Sequence, residues 1–503
     1  MLKRNIVANY AGTAWNAAMS LAFVPLYVKY LGTESYGLVG VSAMLNAYMA
    51  FFTVGLSPMV GREVARFRGG SHSAESIRSL LRVVEILICG IGAACITALW
   101  VSAPWIAGNW LKTESLSDAS VTHALRILSA VIGLRFLEGL YSSVLMGLQR
   151  QVTANILSSL ASTLRGAGSL AVLIWWSPTI DAFFWWQGCV ACLGTVALAV
   201  STYAHLPRAR ASLALGRAAL RDGWPFAKGM LLGSFLTLAA TQTDKLLLTR
   251  LLDLSDYGRY TLAVTVAAAL GLLTVPIHGA FYPRFTELLA VGHKAEATRE
   301  FHRAAQLVSV VAGSVGIVLT VLADRALLLW TGDAELVAKV AGPLRLLLLG
   351  YLFNALVSMP YVLQLAAGRT ALSNWLGAMV VAINVPTLVI VVPRTGIAGA
   401  ATVWMCLNAA LVAVFVPVLF RQIGIAKWTS WALADVAVPL GCALIATIVV
   451  SLVGASMPTT APYSAALLAT AVLASSAAAT MASPLVRKPM LRFVRRRFRL
   501  SPT

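Results

Sequence analysis

Two ionisable residues, Arg135 and Glu138, stand three apart in the apolar stretch "GLRFLEGL", and Arg165 interrupts a second apolar stretch. Three residues is close to one helical turn, so Arg135 and Glu138 share a helix face, which Ser142 continues. An ionisable side chain near the centre of a bilayer costs ~2.5–3.5 kcal/mol even on mild insertion scales, so it should face water or a partner. For Arg135 and Glu138 two readings stand: mutual neutralisation, or the wall of a wet cavity. Arg165 has no acid three or four residues away, and a guanidinium offers paired donors suited to phosphate. Arg135, Glu138 and Arg165 are therefore expected to line a cationic substrate cavity. Arg126, Lys228 and Arg345 are further candidates, with snorkelling to the headgroups as the alternative.

Asp244, beside Lys245 in "TQTDKLLL", is a candidate for binding a coupling proton or Na+, or else a structural partner for a basic residue. Pro25 removes a backbone donor inside the first apolar stretch and is the expected hinge. Enzyme signatures are scarce: no G-x-x-x-x-G-K-[ST] loop, no H-E-x-x-H, six scattered histidines, and no acidic pair in a basic loop that would hold a metal. A non-enzyme without resident metal or cofactor is expected. The six cysteines fall within apolar stretches and read as small core residues.

The elements that position these residues follow from composition. Of 503 residues 59% are hydrophobic and 12% charged, and the mean hydropathy is +0.80. Such a chain is an all-α polytopic membrane protein. Apolar runs of ~20 residues recur about fourteen times, from Asn9–Tyr30 to Ser464–Met481. The net charge of +20 falls in alternate loops: Arg62, Arg66, Arg68 and Arg78 after the second run, Arg208 to Arg221 after the sixth, Arg284 to Arg303 after the eighth, and the basic tail. By the positive-inside rule both termini are cytoplasmic, and the tail's basic cluster reads as an anionic-lipid contact rather than a nucleic-acid site.

A repeat emerges at an offset of about 220 residues. "GLQRQVTAN" (Gly147 to Asn155) matches "AAGRTALSN" (Ala366 to Asn374), and "TESYGL" matches "LSDYGR" through Tyr36 and Tyr257. This divides the chain into two pseudo-symmetric six-helix bundles, 1–204 and 224–420, joined by a basic cytoplasmic linker, 205–223. Two extra helices and the tail occupy 421–503.

The stretches "NYAGTAW", "VPLYVKYLGTESYGLVG", "VGLSPMVGREVAR" and "DKLLLTRLLDLSDYGRYTLA" carry a resemblance. With Leu31-Gly32, Tyr36-Gly37, Gly55-Leu56 and Arg62 in one half, and Asp244, Tyr257-Gly258 and Arg284 in the other, the chain resembles Wzx-type polysaccharide flippases of the multidrug/oligosaccharidyl-lipid/polysaccharide exporter superfamily. The resemblance implies a bacterial inner-membrane protein of two bundles plus two helices. It also implies a substrate, an oligosaccharide on undecaprenyl diphosphate, moved to the periplasmic leaflet for O-antigen, capsule or exopolysaccharide assembly by alternating access. Polysaccharide polymerase and chain-length proteins would be its partners beside the lipid bilayer. A lipid II flippase and a cation-coupled multidrug exporter share that architecture. A membrane polymerase or ligase would usually show a larger outer loop.

Overall fold

The computed structural model describes residues 2–368, 371–424 and 427–489, and among these the regular structure is helical throughout. The first helices are α1 (Leu2–Ala22), α2 (Val24–Ala50), α3 (Leu56–Arg68), α4 (Ala74–Trp105) and α5 (Asp118–Gly147). They are followed by α6 (Gln151–Thr163), α7 (Ser169–Trp175), α8 (Ile180–His205), α9 (Leu213–Leu251) and α10 (Leu254–Ala290). Next come α11 (Lys294–Val308), α12 (Ser314–Val321), α13 (Ala323–Thr331), α14 (Ala334–Ala366) and α15 (Ala371–Ile423), and last α16 (Trp428–Ser430), α17 (Val438–Val453) and α18 (Ala461–Met481). Among the described residues eleven helical spans are long and apolar enough to cross a membrane. One of them holds two crossings, because α15 is 53 residues long and breaks at Gly396 (φ 59°, ψ −142°). With α1 and α9 added, the arrangement is consistent with about fourteen. The chain forms two compact units, residues 1–258 and 259–503.

Helix ends follow ordinary capping chemistry. The side chains of Ser73, Ser117, Thr179 and Asp333 accept the free amide three residues on and open α4, α5, α8 and α14. Proline marks the break between α1 and α2: the chain departs from the helix at Phe23, and Pro25 lies in the first turn of α2, where its missing N–H leaves no bond unmade. The turn between the first two crossings is a single residue, Gly32 (φ 79°), so Tyr36 already lies in helix.

Two expectations change here. The basic stretch after the second crossing is not a loop but the amphipathic helix α3, whose buried Glu63 accepts from His72 (2.7 Å) and Arg66 (3.1 Å). Charge density disguised it, since an amphipathic helix needs only one apolar face. The cysteines are not core residues: Cys89, Cys189, Cys192 and Cys406 are exposed, and Cys95 and Cys442 half-exposed. A small apolar thiol suits an outward face against acyl chains as well as it suits an interior.

The repeat is visible in the backbone. Gln149 (φ 57°) closes α5 and Gly368 (φ 69°) closes α14, both left-handed and 219 residues apart. Helices α4 and α11 open 220 residues apart, as do α6 and α15. Within the first unit two equivalent segments meet. A Cβ on Gly37 would lie 2.2 Å from the carbonyl oxygen of Leu254, and a Cβ on Gly258 2.2 Å from that of Thr33. Gly37 and Gly258 are 221 residues apart, and so are Thr33 and Leu254, so the contact is reciprocal. Thr33 and Ser255 hydroxyls hydrogen-bond there at 3.0 Å, and Glu34 accepts the amides of Glu114 (2.7 Å) and Ser115 (2.9 Å).

In the second unit the C-terminal helices are fastened by one buried carboxylate. Asp435, in the π-helical turn Trp431–Ala437, accepts from His302 and from Gln306 Nε2 (2.9 Å), while its carbonyl accepts from Ser309 (2.7 Å). Gln306 in turn accepts the amide of Leu485 (3.0 Å), which ties the start of the helical segment after α18 to α11.

Candidate functional site

Helices α6 and α7 form one span interrupted by a π-helical turn, Leu164–Gly168, and Arg165 lies in that turn. A π-turn draws carbonyls away from their usual donors, so they need others. Trp186 Nε1 donates to the Leu164 carbonyl (2.8 Å), and the Tyr27 hydroxyl donates to Gly166 (3.1 Å) and lies 3.3 Å from the Arg165 carbonyl. Glycine is required at two positions of the turn: a Cβ on Gly166 would meet the Phe23 ring at 2.4 Å, and one on Gly168 the Trp186 indole at 2.3 Å. The residues at the break preceding α2 therefore brace the turn that carries Arg165.

Arg165 faces a cavity of about 470 Å³ between α5, α6 and α8, whose polar lining is Arg135, Glu138, Ser142, Ser158 and Arg165. Leu157, Leu160 and Leu193 contribute to its apolar wall. Glu138 Oε2 lies 3.7 Å from Arg165 Nη1, while Arg135 donates to Gln187 Oε1 (3.3 Å), which donates from Nε2 to Ser169 (3.1 Å). Glu138 thus pairs across helices with Arg165, where the sequence suggested Arg135 as its partner and no acid near Arg165. Helical spacing reports neighbours on one helix and is silent about the next.

Charge and hydrogen bonding are both incomplete in this cavity. Two guanidiniums face one carboxylate, and Arg135 Nε and Glu138 Oε1 are buried with no hydrogen-bond partner. Unmet polar atoms at mid-span are expensive, so the cavity is built to take water or a polar ligand, and its excess charge favours an anion. Gly194 gives Glu138 its room: a Cβ there would stand 2.8 Å from Oε1. Gln187, Ser169, Tyr27 and Trp186 were not legible as site residues. A lone glutamine in the apolar span "FFWWQGCVACLG" was the one available signal.

The remaining candidates are placed apart. Arg126 lines a second cavity and lies over the Trp100 ring at 5.2 Å. Lys228 is exposed on α9. Arg345, in the second unit, bonds Asp324, while Arg325 donates to the carbonyls of Pro458 and Met457 (3.0 and 3.1 Å). Asp244 is buried with Oδ1 unpartnered, and Lys245 donates to Gln242 (3.2 Å) rather than to it.

The fold and the site define a helical, multi-span membrane protein with a polar, positively biased pocket within its spans. The profile of the family described as "Polysaccharide biosynthesis protein" matches residues 2–289, more than half of the chain, and the protein belongs to that family. It is 23% identical over 407 residues to a Shigella flexneri protein named "Putative O-antigen transporter", covering 80% of this chain and 93% of that one. Among solved structures, the lipid II flippase MurJ in an inward closed conformation superposes with a TM-score of 0.71 at 14% identity, over 95% of this chain and 98% of its own. An inward-facing multidrug resistance MATE family transporter of the MOP superfamily gives 0.56 at 14% identity, over 81% and 94%. Those structural likenesses establish the fold. The named relatives are transporters and flippases rather than enzymes.

Proposed function

We propose that this protein is a flippase for oligosaccharides carried on undecaprenyl diphosphate, moving them from the cytoplasmic to the periplasmic leaflet of a bacterial inner membrane. The observation that carries this reading is the mid-span cavity with two guanidiniums, one carboxylate and unmet buried polar atoms. A sugar diphosphate cannot cross hydrocarbon unaided, because its polar groups would lose their water without replacement. A hydrated cavity of positive sign lowers that barrier while the polyprenyl chain stays in lipid. In this reading both termini are cytoplasmic, in accord with the alternation of basic segments along the sequence. Polysaccharide polymerase and chain-length proteins receive the product. Asp244, buried and half-unpartnered, is the residue through which a proton or Na+ gradient is coupled. Replacing it by Asn then removes the gradient dependence of transport.

The test is mass spectrometry of lipid-linked saccharides in cells with and without the gene, combined with a membrane-impermeant probe of leaflet. Accumulation of an undecaprenyl-linked oligosaccharide on the cytoplasmic side supports the reading and names the cargo. Accumulation of lipid II there reassigns the protein to that cargo. A periplasmic build-up, or none, overturns the reading.

A further inference from the structure

A second cavity, of about 340 Å³, opens in the first unit beside the exposed Trp100 and Trp185. Its floor is the α5 row Arg126, Ala130 and Leu134, and its flanks are Trp100 of α4 and Trp185 of α8. On α8 the residues Trp185, Cys189, Cys192, Val196 and Val200 are spaced by three or four and are all exposed, which makes an apolar stripe that meets acyl chains in a membrane. The small residues Ala130, Gly188 and Cys192 hollow that face into a groove.

One end of the groove is basic. Arg126 lies about 12 Å along α5 from Asp118, at 1.5 Å per residue, toward the Asp118 end of that helix. Its guanidinium is held over the Trp100 ring at 5.2 Å. Its Nε is buried without a hydrogen-bond partner. Among the described residues no carboxylate lies within ion-pair distance of it: the nearby Asp181 pairs instead with His123 (3.0 Å). The site therefore presents an oriented, uncompensated guanidinium above an acyl-sized groove, between two half-exposed indoles of the kind that settle at headgroup level.

We infer that this groove is a binding site for an anionic glycerophospholipid, with the phosphate on Arg126 and one acyl chain lying along α5 and α8. An anionic headgroup is favoured over a zwitterionic one because the latter brings its own cation to a place already positive. The inference stands apart from the transport reading and fails or survives independently of it.

The chain carries its own reporters. Cys189 and Cys192 line the groove, whereas Cys89 and Cys406 are exposed elsewhere. In detergent micelles, titration with dioleoylphosphatidylglycerol is expected to slow maleimide labelling of Cys189 and Cys192 by about tenfold, the protection that saturation near ten times the Kd gives. Cys89 and Cys406 keep their rates, and dioleoylphosphatidylcholine at equal concentration has little effect. Arg126→Gln is expected to remove the difference between the two lipids. Equal protection of all four cysteines means ordinary annular lipid and overturns the site. Equal protection by both lipids overturns the role of Arg126, and that comparison needs no variant.

Discussion

At the scale of single residues, the pair Glu138–Arg165 governs the mid-span cavity. Its side chains are 18% and 25% exposed, so the pair is partly screened by whatever fills the cavity. Removing one partner of a fully buried pair costs about 3–5 kcal/mol; partial exposure brings the expectation for Glu138→Gln to about 1–3 kcal/mol. Glu138→Gln leaves two guanidiniums facing each other without a counter-charge, and Arg165→Gln leaves a carboxylate beside Arg135 alone. The double variant removes both charges and is expected to recover most of the stability lost by Glu138→Gln, giving a large coupling term in thermal unfolding of the purified protein. Additive losses would show that the two side chains act separately. Under the proposed function transport should not recover with stability, because the positive charge that Arg165 brings to the cavity is gone. The sequence made the individual residues conspicuous, since a charge in an apolar run stands out on cost alone. It did not disclose the pairing, which depends on which faces of α5 and α6 meet. Nor did it disclose Gln187, whose role follows from lying opposite Arg135.

At the scale of elements, the informative unit is the π-turn at Leu164–Gly168 and the start of α2 packed against it. Span positions were readable from hydropathy, but the interruption inside the fifth crossing was not. An extra residue per turn leaves the apolar pattern nearly unchanged, and its braces, Tyr27 and Trp186, come from other helices. Tyr27→Phe deletes one hydroxyl that satisfies a turn carbonyl and should lower stability by about 1 kcal/mol. Its effect on transport should be larger than that loss alone would give, because the turn aims Arg165. A flipping assay at matched amounts of folded Tyr27→Phe protein reads this directly; unchanged transport would mean the turn holds its shape without the brace. Pro25 belongs to the same unit. The break at Phe23 lets that ring pack on Gly166, so a change of bend there moves the turn and its arginine together. Pro25→Ala permits a straighter helix and is expected to slow transport while leaving Arg165→Gln no slower than it already is.

At the scale of the whole molecule, the duplication seen in "TESYGL" and "LSDYGR" places two equivalent backbones against each other inside the first unit. Sequence offsets foretold that the segments correspond; they held no information that the segments touch. The contact depends on glycine at Gly37 and Gly258, because each would-be Cβ falls 2.2 Å from a carbonyl oxygen. A backbone oxygen has no rotamer through which to retreat, so Gly37→Ala must push residues 33–37 away from residues 254–258. Under the proposed transport by alternating access, some such contact parts and re-forms in each cycle. A substitution that disfavours only the closed contact shifts the population toward the parted form. The Thr33 and Ser255 hydroxyls, 3.0 Å apart, provide the readout. Cysteines at both positions in an otherwise cysteine-free background are expected to form a disulfide under mild oxidation and to stop transport until reduced. Adding Gly37→Ala, or by the reciprocity of the contact Gly258→Ala, should slow that cross-linking to a similar degree. If only one of the two did so, the contact would be asymmetric in solution. If cross-linking left transport intact, residues 33–37 and 254–258 would be a fixed seam rather than a part of the moving cycle.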